Sequence, residues 1–367
     1  MTYDQRSFCL DTFNALALNE RGNLIFSPYS LSQALFMLYV GARGDSANRI
    51  KTCLKIGDGI KFHIRNRQLN RALATLIHTS NGLYASDQYK IMQEYIDVVK
   101  CFYGGEFRSV NFRTDATNVC TDINKRVSVA TQGMIDNLLS EINPAVMLLV
   151  VNAIYFKGKW KNPFIQTTPQ LFRTGEGILK TVDTMHQLID LKYYRDTEAM
   201  CEVLHIPYKQ GAYMYIILPF QDDINAFQKT MTSSTLTKWT RILSAKTYKT
   251  SEIHLALPKF KLEYSFPLKE IMITLGLGHL FDYRTSQLCG ITDSNICVTD
   301  GVQKVVLQVD EKGTIASAAT AMLIDKCSKP SPIQFKVDRS FMFMIREDTN
   351  DVDLFWGKVT DPIKASA

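Results

Sequence analysis

Short apolar or β-branched runs of strand type are spread along the chain between segments of helical periodicity. They do not follow the regular strand-helix-strand alternation of a doubly wound fold, so the pattern favours an α+β architecture with large antiparallel sheets. The sequence contains no linker rich in Pro, Gly or Ser and no internal repeat, and we therefore expect a single domain over residues 1–367. The strand-type runs lie at 83–84, 146–156, 203–207, 213–218, 253–257 and 305–309.

Helical periodicity dominates the first third of the chain, and local patterns define two of the helices predicted there. Ser27 followed by Pro28 is typical of a helix N-cap with proline at the first helical position. The nearly continuous apolar stretch that follows predicts a helix buried on all sides, which ends near Gly41 and Gly44. A second helix is predicted over 61–77, where basic and apolar residues are mixed.

The tripeptide Arg43, Gly44 and Asp45 spells an integrin-recognition signal. Such a signal requires an exposed and mobile tip, whereas here it follows an apolar helix and precedes another helical pattern. Gly44 as a turn residue, with Asp45 or Ser46 as an N-cap, explains the tripeptide without any adhesion function.

Charge, hydropathy and cysteine usage exclude several classes of protein. A balance of 42 Lys and Arg against 36 Asp and Glu gives a net charge of +6, which is too mild to indicate nucleic-acid binding. The longest nearly continuous apolar run is well short of the ~20 residues of a membrane-spanning helix. The eight cysteines are dispersed without a C-x-x-C pair, which predicts reduced and packed thiols. We expect no nucleic-acid or membrane partner and, since 1–20 lacks an export signal, a cytoplasmic protein or one released without a signal peptide.

The sequence lacks the motifs of common enzymes and metal sites. It has no P-loop, no nucleophile elbow and no zinc-protease motif, and its six histidines stand far apart. We therefore expect no catalytic residue, no metal and no cofactor. A hydrolase whose triad is assembled from distant positions stays an open alternative.

The segment 311–321 fits two conformations. Its run of small residues favours a helix, because Ala is the best helix former. However, every second residue of the run would line one face of a strand, and these side chains are small enough to fit between two strands already in place. These residues are Thr314, Ala316, Ala318 and Thr320. The residues that follow turn polar and contain proline, which is typical of an exposed loop.

Ordered blocks along nearly the whole chain resemble the serpin family of serine protease inhibitors. The most specific blocks are NLIFSPYS at 23–30, NAIYFKGKW at 152–160, VDEKGT at 309–314 and FMFMIR at 341–346. The resemblance implies a serpin fold of three β-sheets and about nine helices, with a metastable native state that stores strain. It also implies an exposed reactive loop near the C-terminus, at approximately 311–334.

The resemblance further implies a mechanism and a set of site residues. In this family a protease attacks the reactive loop and becomes acylated, and the hinge then inserts as a new strand of the large sheet and traps the enzyme. The hinge comprises Glu311, Gly313, Thr314, Ala316, Ala318 and Thr320. The shutter and breach, where strands must part, comprise Ser27, Ser30, Asn152, Gln303 and Trp160. Gln303 stands where the resemblance leads us to expect a histidine.

We therefore expect an inhibitory serpin that acts as a monomer on a serine protease. The alternative is a non-inhibitory serpin that serves as a carrier, chaperone or structural partner. The usual loop length of the family places Cys327 before the scissile bond and Ser328 after it. A long cation such as Lys326 would instead pair with the carboxylate of a trypsin-like specificity pocket, and we favour Lys326–Cys327 as the reactive bond.

Four basic residues of the second predicted helix lie where the resemblance places a polysaccharide-binding helix in some relatives. They are Lys61, Arg65, Arg67 and Arg71. A solvated helix face is the alternative explanation, because charge runs usually only increase solubility. The partner implied by a binding site here is a heparin-like polyanion, and the solvated face remains the favoured interpretation.

Overall fold

The computed structural model describes residues 5–18, 20–56, 60–156, 158–311 and 331–363, without the side chains of 60–62. The predicted reactive bond and every hinge residue after Glu311 lie outside the described residues. The described helices are α1 (Gln5–Ala17), α2 (Pro28–Gly41), α3 (Gly44–Leu54), α4 (Ile60–Leu73), α5 (Gln93–Tyr103), α6 (Phe112–Ala130), α7 (Ile224–Thr230), α8 (Ser233–Ser244) and α9 (Leu268–Thr274), with a 3-10 turn at Gly278–Phe281. The first seven described strands are β1 (Leu24–Phe26), β2 (Ile77–Ser86), β3 (Glu106–Val110), β4 (Leu148–Phe156), β5 (Gln166–Arg173), β6 (Leu179–Asp196) and β7 (Cys201–Pro207). The others are β8 (Ala212–Pro219), β9 (Ser251–Pro258), β10 (Phe260–Pro267), β11 (Val298–Val309), β12 (Ile333–Lys336), β13 (Phe341–Glu347) and β14 (Val352–Val359).

Helix α2 confirms the first helix prediction. Ser27 is its N-cap, and the Oγ of Ser27 accepts a hydrogen bond from the backbone N of Ser30 at 3.1 Å. All of its residues except Tyr39 and Val40 are buried, as the apolar composition predicted. The helix ends at Gly41, where the sequence predicted its end, and the backbone N of Ala42 donates to the carbonyl of Tyr39.

Helix α3 corrects the prediction for the integrin-like tripeptide. The N-cap is Arg43, whose side chain makes no capping hydrogen bond, so the prediction of Asp45 or Ser46 is wrong. Gln287, 242 residues later, supplies the cap instead: its Oε1 accepts from the backbone N of Asp45 at 2.7 Å. The backbone N of Gln287 also donates to the Oγ of Ser46 at 3.0 Å. The tripeptide is therefore fixed by a tertiary contact.

The second predicted helix is shorter than expected at its C-terminal end. Helix α4 ends at Leu73, a turn occupies 74–76, and Ile77 already begins β2. Ile77 is a β-branched residue that is buried to 6% exposure, so it joins the sheet rather than the helix. No helix in the described ranges is long and apolar enough to cross a membrane.

The chain divides into two compact units. The first comprises 1–16, 26–155 and 264–306, and the second comprises 17–25, 156–263 and 307–367. The described strands form a five-stranded sheet in the order β10-β11-β4-β2-β3. They also form a nine-stranded sheet in the order β1-β14-β13-β8-β7-β6-β9-β12, with β5 paired to β6.

In the five-stranded sheet, β4 and β11 are direct neighbours and run parallel. Val302 lies opposite Val151, and Val306 lies opposite Tyr155. β2 and β3 are parallel as well, so the prediction of antiparallel sheets is wrong for these pairs. Every residue of β4 is buried, as expected for a parallel strand covered on both faces.

Helix α6 contributes to the cover of β4. Its apolar side chains, among them Ile123 and Val127, join one buried cluster with alternate residues of β4. Those residues are Leu149, Val151, Ala153 and Tyr155. Side chains at alternate positions of a strand share one face, so the cluster lies on a single face of β4.

The nine-stranded sheet has two parts that share the long strand β6. Residues 192–196 of β6 pair with β7, and residues 184–191 pair with β9. Strand β12 pairs with β9 in parallel and ends the sheet. These two parts and the five-stranded sheet correspond to the three sheets that the resemblance implied. Five of the six predicted strand runs lie within strands, and the sixth, 146–156, begins two residues before β4.

Candidate functional site

A buried polar network links β4 and β11 to the start of α2. Asn152 on β4 lies opposite Gln303 on β11, and neither residue is exposed. The Nε2 of Gln303 donates to the Oδ1 of Asn152 and to the carbonyl of Ser27 at 3.4 Å. The Oε1 of Gln303 accepts from the backbone N of Ser27 at 3.2 Å. One carboxamide therefore connects both strands with the N-cap of α2.

Asn152 extends this network to a third strand. Its Nδ2 donates to the carbonyl and the Oγ of Ser30, both at 2.8 Å, and to the Oδ1 of Asn81 at 2.6 Å. The four predicted shutter residues Ser27, Ser30, Asn152 and Gln303 thus lie together. Sequence reasoning missed Asn81 on β2, although an amide beside a run of buried strand residues is a signal, because a buried amide needs hydrogen-bond partners.

The network resists separation of β4 from β11. Each hydrogen bond contributes a net ~1 kcal/mol, whereas a buried partner left without one costs about 1–3 kcal/mol. Gln303 carries a donor and an acceptor on one neutral group, so it can serve in the position where the resemblance led us to expect a histidine.

Trp160 lies in the second unit and holds the chain just after β11. Its Nε1 donates to the carbonyl of Asp310 at 2.8 Å. The indole is fully buried and stacks on Tyr208, with ring centroids 4.3 Å apart and planes 10° apart. Phe164 packs against it edge-on at 5.8 Å. The predicted breach residue therefore fixes the backbone directly before the hinge.

Glu311, the one predicted hinge residue within the described ranges, is held by three contacts. Its carbonyl accepts from the backbone N of Phe164 at 2.8 Å. Its Oε1 accepts from the Oγ1 of Thr167 at 2.6 Å and from the Nζ of Lys259 at 2.9 Å. Burial opposes the charged carboxylate, but the hydrogen bonds from Thr167 and Lys259 outweigh it and lower the pKa of Glu311. The same hydrogen bond raises the pKa of Lys259.

Helix α4 carries exposed arginines and also makes a polar contact with α2. Arg65 and Arg71 are exposed and Arg67 is half-buried, while the side chain of Lys61 lies outside the described part of the structure. On the inner side, Asn66 and Gln33 of α2 exchange two amide hydrogen bonds at 2.9 and 2.8 Å. Arg65 and Arg71 are therefore accessible to a ligand.

The described residues contain no cluster of three or more side chains that could hold a metal ion. Their seven cysteines are free thiols, and five of these are buried or half-buried.

Comparisons with known proteins all point to one family. The model of the serpin family, described as serpin (serine protease inhibitor), matches residues 3–362. Leukocyte elastase inhibitor from Homo sapiens is 31% identical, and Ipis-1 from Ixodes persulcatus is 34% identical, each over 97% of both chains. The crystal structure of the mouse protein-Z dependent protease inhibitor matches with a TM-score of 0.87 at 26% identity, over 98% of this chain and 96% of that one.

A match over this length identifies a family described as serine protease inhibitors, not a family of enzymes. The chain belongs to the serpin family, which confirms the interpretation of the sequence blocks. Family membership implies a protease as its partner.

Proposed function

We propose that the protein is an inhibitory serpin that traps a trypsin-like serine protease as a covalent acyl complex. In this proposal residues 1–367 act as one domain, and the segment 311–334 is the reactive loop. The observation that carries the proposal is the direct parallel pairing of β4 with β11. Because the loop leaves the end of β11, it must reverse direction to enter between these strands, and it then runs antiparallel to both.

Insertion replaces one parallel pairing with two antiparallel ones. Parallel pairing is slightly less stable per residue than antiparallel pairing, so the exchange favours the inserted state. The alternate small residues that begin at Thr314 suit this role, because small side chains enter a packed sheet without displacing its neighbours. The buried network around Asn152 and Gln303 must open first and therefore sets part of the barrier.

The covalent step uses the serine of the protease. Its hydroxyl oxygen attacks the carbonyl carbon of Lys326 and forms an ester while the Lys326–Cys327 peptide bond breaks. The serine proton passes through the protease's own base to the new amino terminus at Cys327. Loop insertion that outruns hydrolysis of the ester keeps the protease attached.

Two observations bear on the position of the bond. Lys326 offers a long cation to the carboxylate of a trypsin-like pocket, which supports Lys326–Cys327. The relatives named leukocyte elastase inhibitor support Cys327–Ser328 instead, because Cys327 would present a small apolar group to an elastase-like pocket.

Incubation with trypsin, and in parallel with leukocyte elastase, followed by denaturing electrophoresis tests the proposal. We expect a covalent band with trypsin at the summed mass of the two chains less the C-terminal fragment, and mass spectrometry should find that released fragment to begin at Cys327. A fragment that begins at Ser328, together with an elastase complex, would move the bond by one residue. Loop cleavage by both proteases without a covalent band would contradict the proposed inhibitory function and favour a carrier or structural role.

A matched pair of variants separates insertion from cleavage. Thr314→Arg places a charge on the face that must enter the sheet, whereas Ile315→Arg places the same charge on the alternate face. We expect Thr314→Arg to be cleaved without trapping the protease, and Ile315→Arg to retain most of the inhibition.

We also propose that the basic helix α4 binds a heparin-like polyanion through Lys61, Arg65, Arg67 and Arg71. The exposure of Arg65 and Arg71 supports this role. A flexible polyanion can bind a row of exposed cations without a preformed pocket.

For the setting of the protein, we propose a monomer that acts in the cytoplasm or after release without a signal peptide. The free thiols of the seven described cysteines support a reducing compartment. Cell fractionation combined with size-exclusion chromatography tests both statements.

A further inference from the structure

Two histidines lie on one face of the nine-stranded sheet, in the part that contains β12. The ring centroids of His186 on β6 and His254 on β9 are 6.2 Å apart. His186 lies opposite Ala256 of β9, and Ala256 in turn lies opposite Lys336 of β12. Residues directly opposite each other in a sheet project to the same face, so His186 and Lys336 flank the small side chain of Ala256.

His254 connects directly to β12. Its Nδ1 lies 2.8 Å from the Oε1 of Gln334, and a carboxamide oxygen can only accept, so Nδ1–H of His254 donates. The Nε2 of His186 forms a hydrogen bond with the Oγ1 of Thr168 on β5 at 2.9 Å. The two imidazoles therefore belong to one hydrogen-bonded surface that runs from β5 to β12.

Strand β12 is the most weakly attached part of this surface. It has four residues, and in the described part of the sheet β9 is its one neighbouring strand. Phe335 anchors it with a fully buried ring, while Gln334 and Lys336 are exposed. A short edge strand with few ladder hydrogen bonds opens more readily than a central one. Charge on its exposed face can therefore shift the equilibrium between attached and released β12.

We propose that protonation of His186 weakens the attachment of β12 to the sheet, so that acidification favours the release of β12. A charged His186 faces His254 of β9 and Lys336 of β12, and repels both when they are positive. From β5 it faces the uncharged Thr168. Lys336 has a carboxylate partner in Asp338, but at 3.9 Å this contact offsets little of its charge. The acidic pair Asp190 and Glu252 lies further along the same strands.

The direction of the response follows from linkage. Burial lowers the pKa of His186 first, and the positive charges of His254 and Lys336 lower it further. Departure of β12 removes the positive charge of Lys336, so the released form binds the proton more tightly than the attached form. Acidification therefore favours release, by the same factor that attachment disfavours the proton.

Hydrogen exchange of the β12 backbone measures this without any protease. At low salt we expect protection of Gln334 to Lys336, corrected for intrinsic exchange rates, to fall about fivefold between about pH 7.5 and pH 5.5, the size of one or two exposed like-charge contacts. His186→Gln should abolish this fall, Lys336→Gln should reduce it, and about 0.5 M salt should screen it. Protection of β13, a central strand, serves as the internal reference.

An unchanged protection of β12 in the natural chain overturns the inference, as does an equal fall in His186→Gln. Should His186→Gln fail to fold, the exposed position of Lys336 gives a second test, and a full fall in Lys336→Gln also overturns it. Because no inhibition is measured, these results are independent of whether the protein traps a protease.

Discussion

Gln303 and Asn152 lie directly opposite each other on two parallel strands, and the Nε2 of Gln303 donates to the Oδ1 of Asn152. Replacement of Gln303 by Ala leaves the buried carbonyl of Asn152 with one partner fewer, and we expect the free energy of unfolding to fall by about 1–3 kcal/mol. Inhibitory activity should also decay faster on warming, because the strands part more easily. Urea unfolding and the half-life of inhibition measure these effects.

Gln308 provides the matched control for this change. It lies on the same strand, is half-buried, and donates to Asp310 at 3.4 Å rather than across the strand pair. Gln308→Ala should change both quantities much less. Equal losses in the two variants would show that the network at Gln303 has no special part in the barrier.

Cleavage inside 312–330 should raise the thermal unfolding midpoint. The freed loop can then complete the five-stranded sheet with antiparallel hydrogen bonds on both sides and relax stored strain. Nicking by a protease that forms no complex, followed by calorimetry, gives the measurement. Cleaved Thr314→Arg should show no such rise, and an unchanged midpoint in the cleaved natural chain would contradict insertion.

The contacts of Glu311 predict a dependence of stability on acid pH. Because its pKa is lowered from 4.5, the folded state holds the proton less tightly than the unfolded state. The stabilisation is therefore complete above pH 4.5 and is lost as the pH falls through the lowered pKa. Relative to Glu311→Gln, the natural chain should be more stable at neutral pH and lose this advantage in acid.

Lys259→Gln tests the origin of this dependence. Lys259 donates to the Glu311 carboxylate, so its replacement should shrink the stability difference between the natural chain and Glu311→Gln. Urea unfolding of the two single variants and the double variant over the acid range gives the coupling. Additive effects would place the pH dependence elsewhere.

The burial of Lys358 predicts a second pH dependence, of the same direction but in the alkaline range. It is fully buried, with Nζ donating to the carbonyl of Glu20 at 2.8 Å and to the Oδ1 of Asn225 at 2.7 Å. Burial lowers its pKa from 10.5 to about 8, although Glu20 partly offsets this. Between these values the unfolded chain binds more protons, so stability should rise with pH. The unfolding free energy of the natural chain minus that of Lys358→Met should increase with pH over this range. Parallel curves for the two proteins would contradict the prediction.

Heparin should accelerate inhibition if α4 binds polyanions. The double variant Arg65→Ala with Arg67→Ala should lose this acceleration and keep the basal rate. The lost acceleration should be the salt-sensitive part, because it depends on charge. The exposed residues Lys246 and Lys249 provide a charge-matched control, and their replacement by Ala should leave the acceleration intact. Acceleration that survives the arginine changes would remove α4 from the site.

Elements specified by neighbouring residues could be predicted from the sequence. Ser27 and Pro28 define the start of α2 through chemistry within one helical turn, and the start was therefore predictable. The cap of α3 was not, because Gln287 reaches Asp45 from 242 residues away. The end of α4 was missed for a related reason: Ile77 joins a sheet whose other strands lie far along the chain.

The candidate site shows the same limit. The family resemblance located Asn152 and Gln303, but an apolar run does not specify its neighbour, so the parallel pairing of β4 with β11 came only from the structure. Asn81 was missed although it bonds to both Ser30 and Asn152. A single amide near a strand indicates that some partner exists, without indicating which one.

The choice of glutamine at position 303 has a consequence for where such a molecule can operate. Serine, asparagine and glutamine side chains do not titrate in the physiological range, so the network of Ser27, Ser30, Asn81, Asn152 and Gln303 carries no proton linkage of its own. A histidine at this position would tie the opening of β4 and β11 to the acidity of the surroundings. With glutamine, the network resists the separation of β4 from β11 to the same extent in a neutral cytosol and in an acidified vesicle.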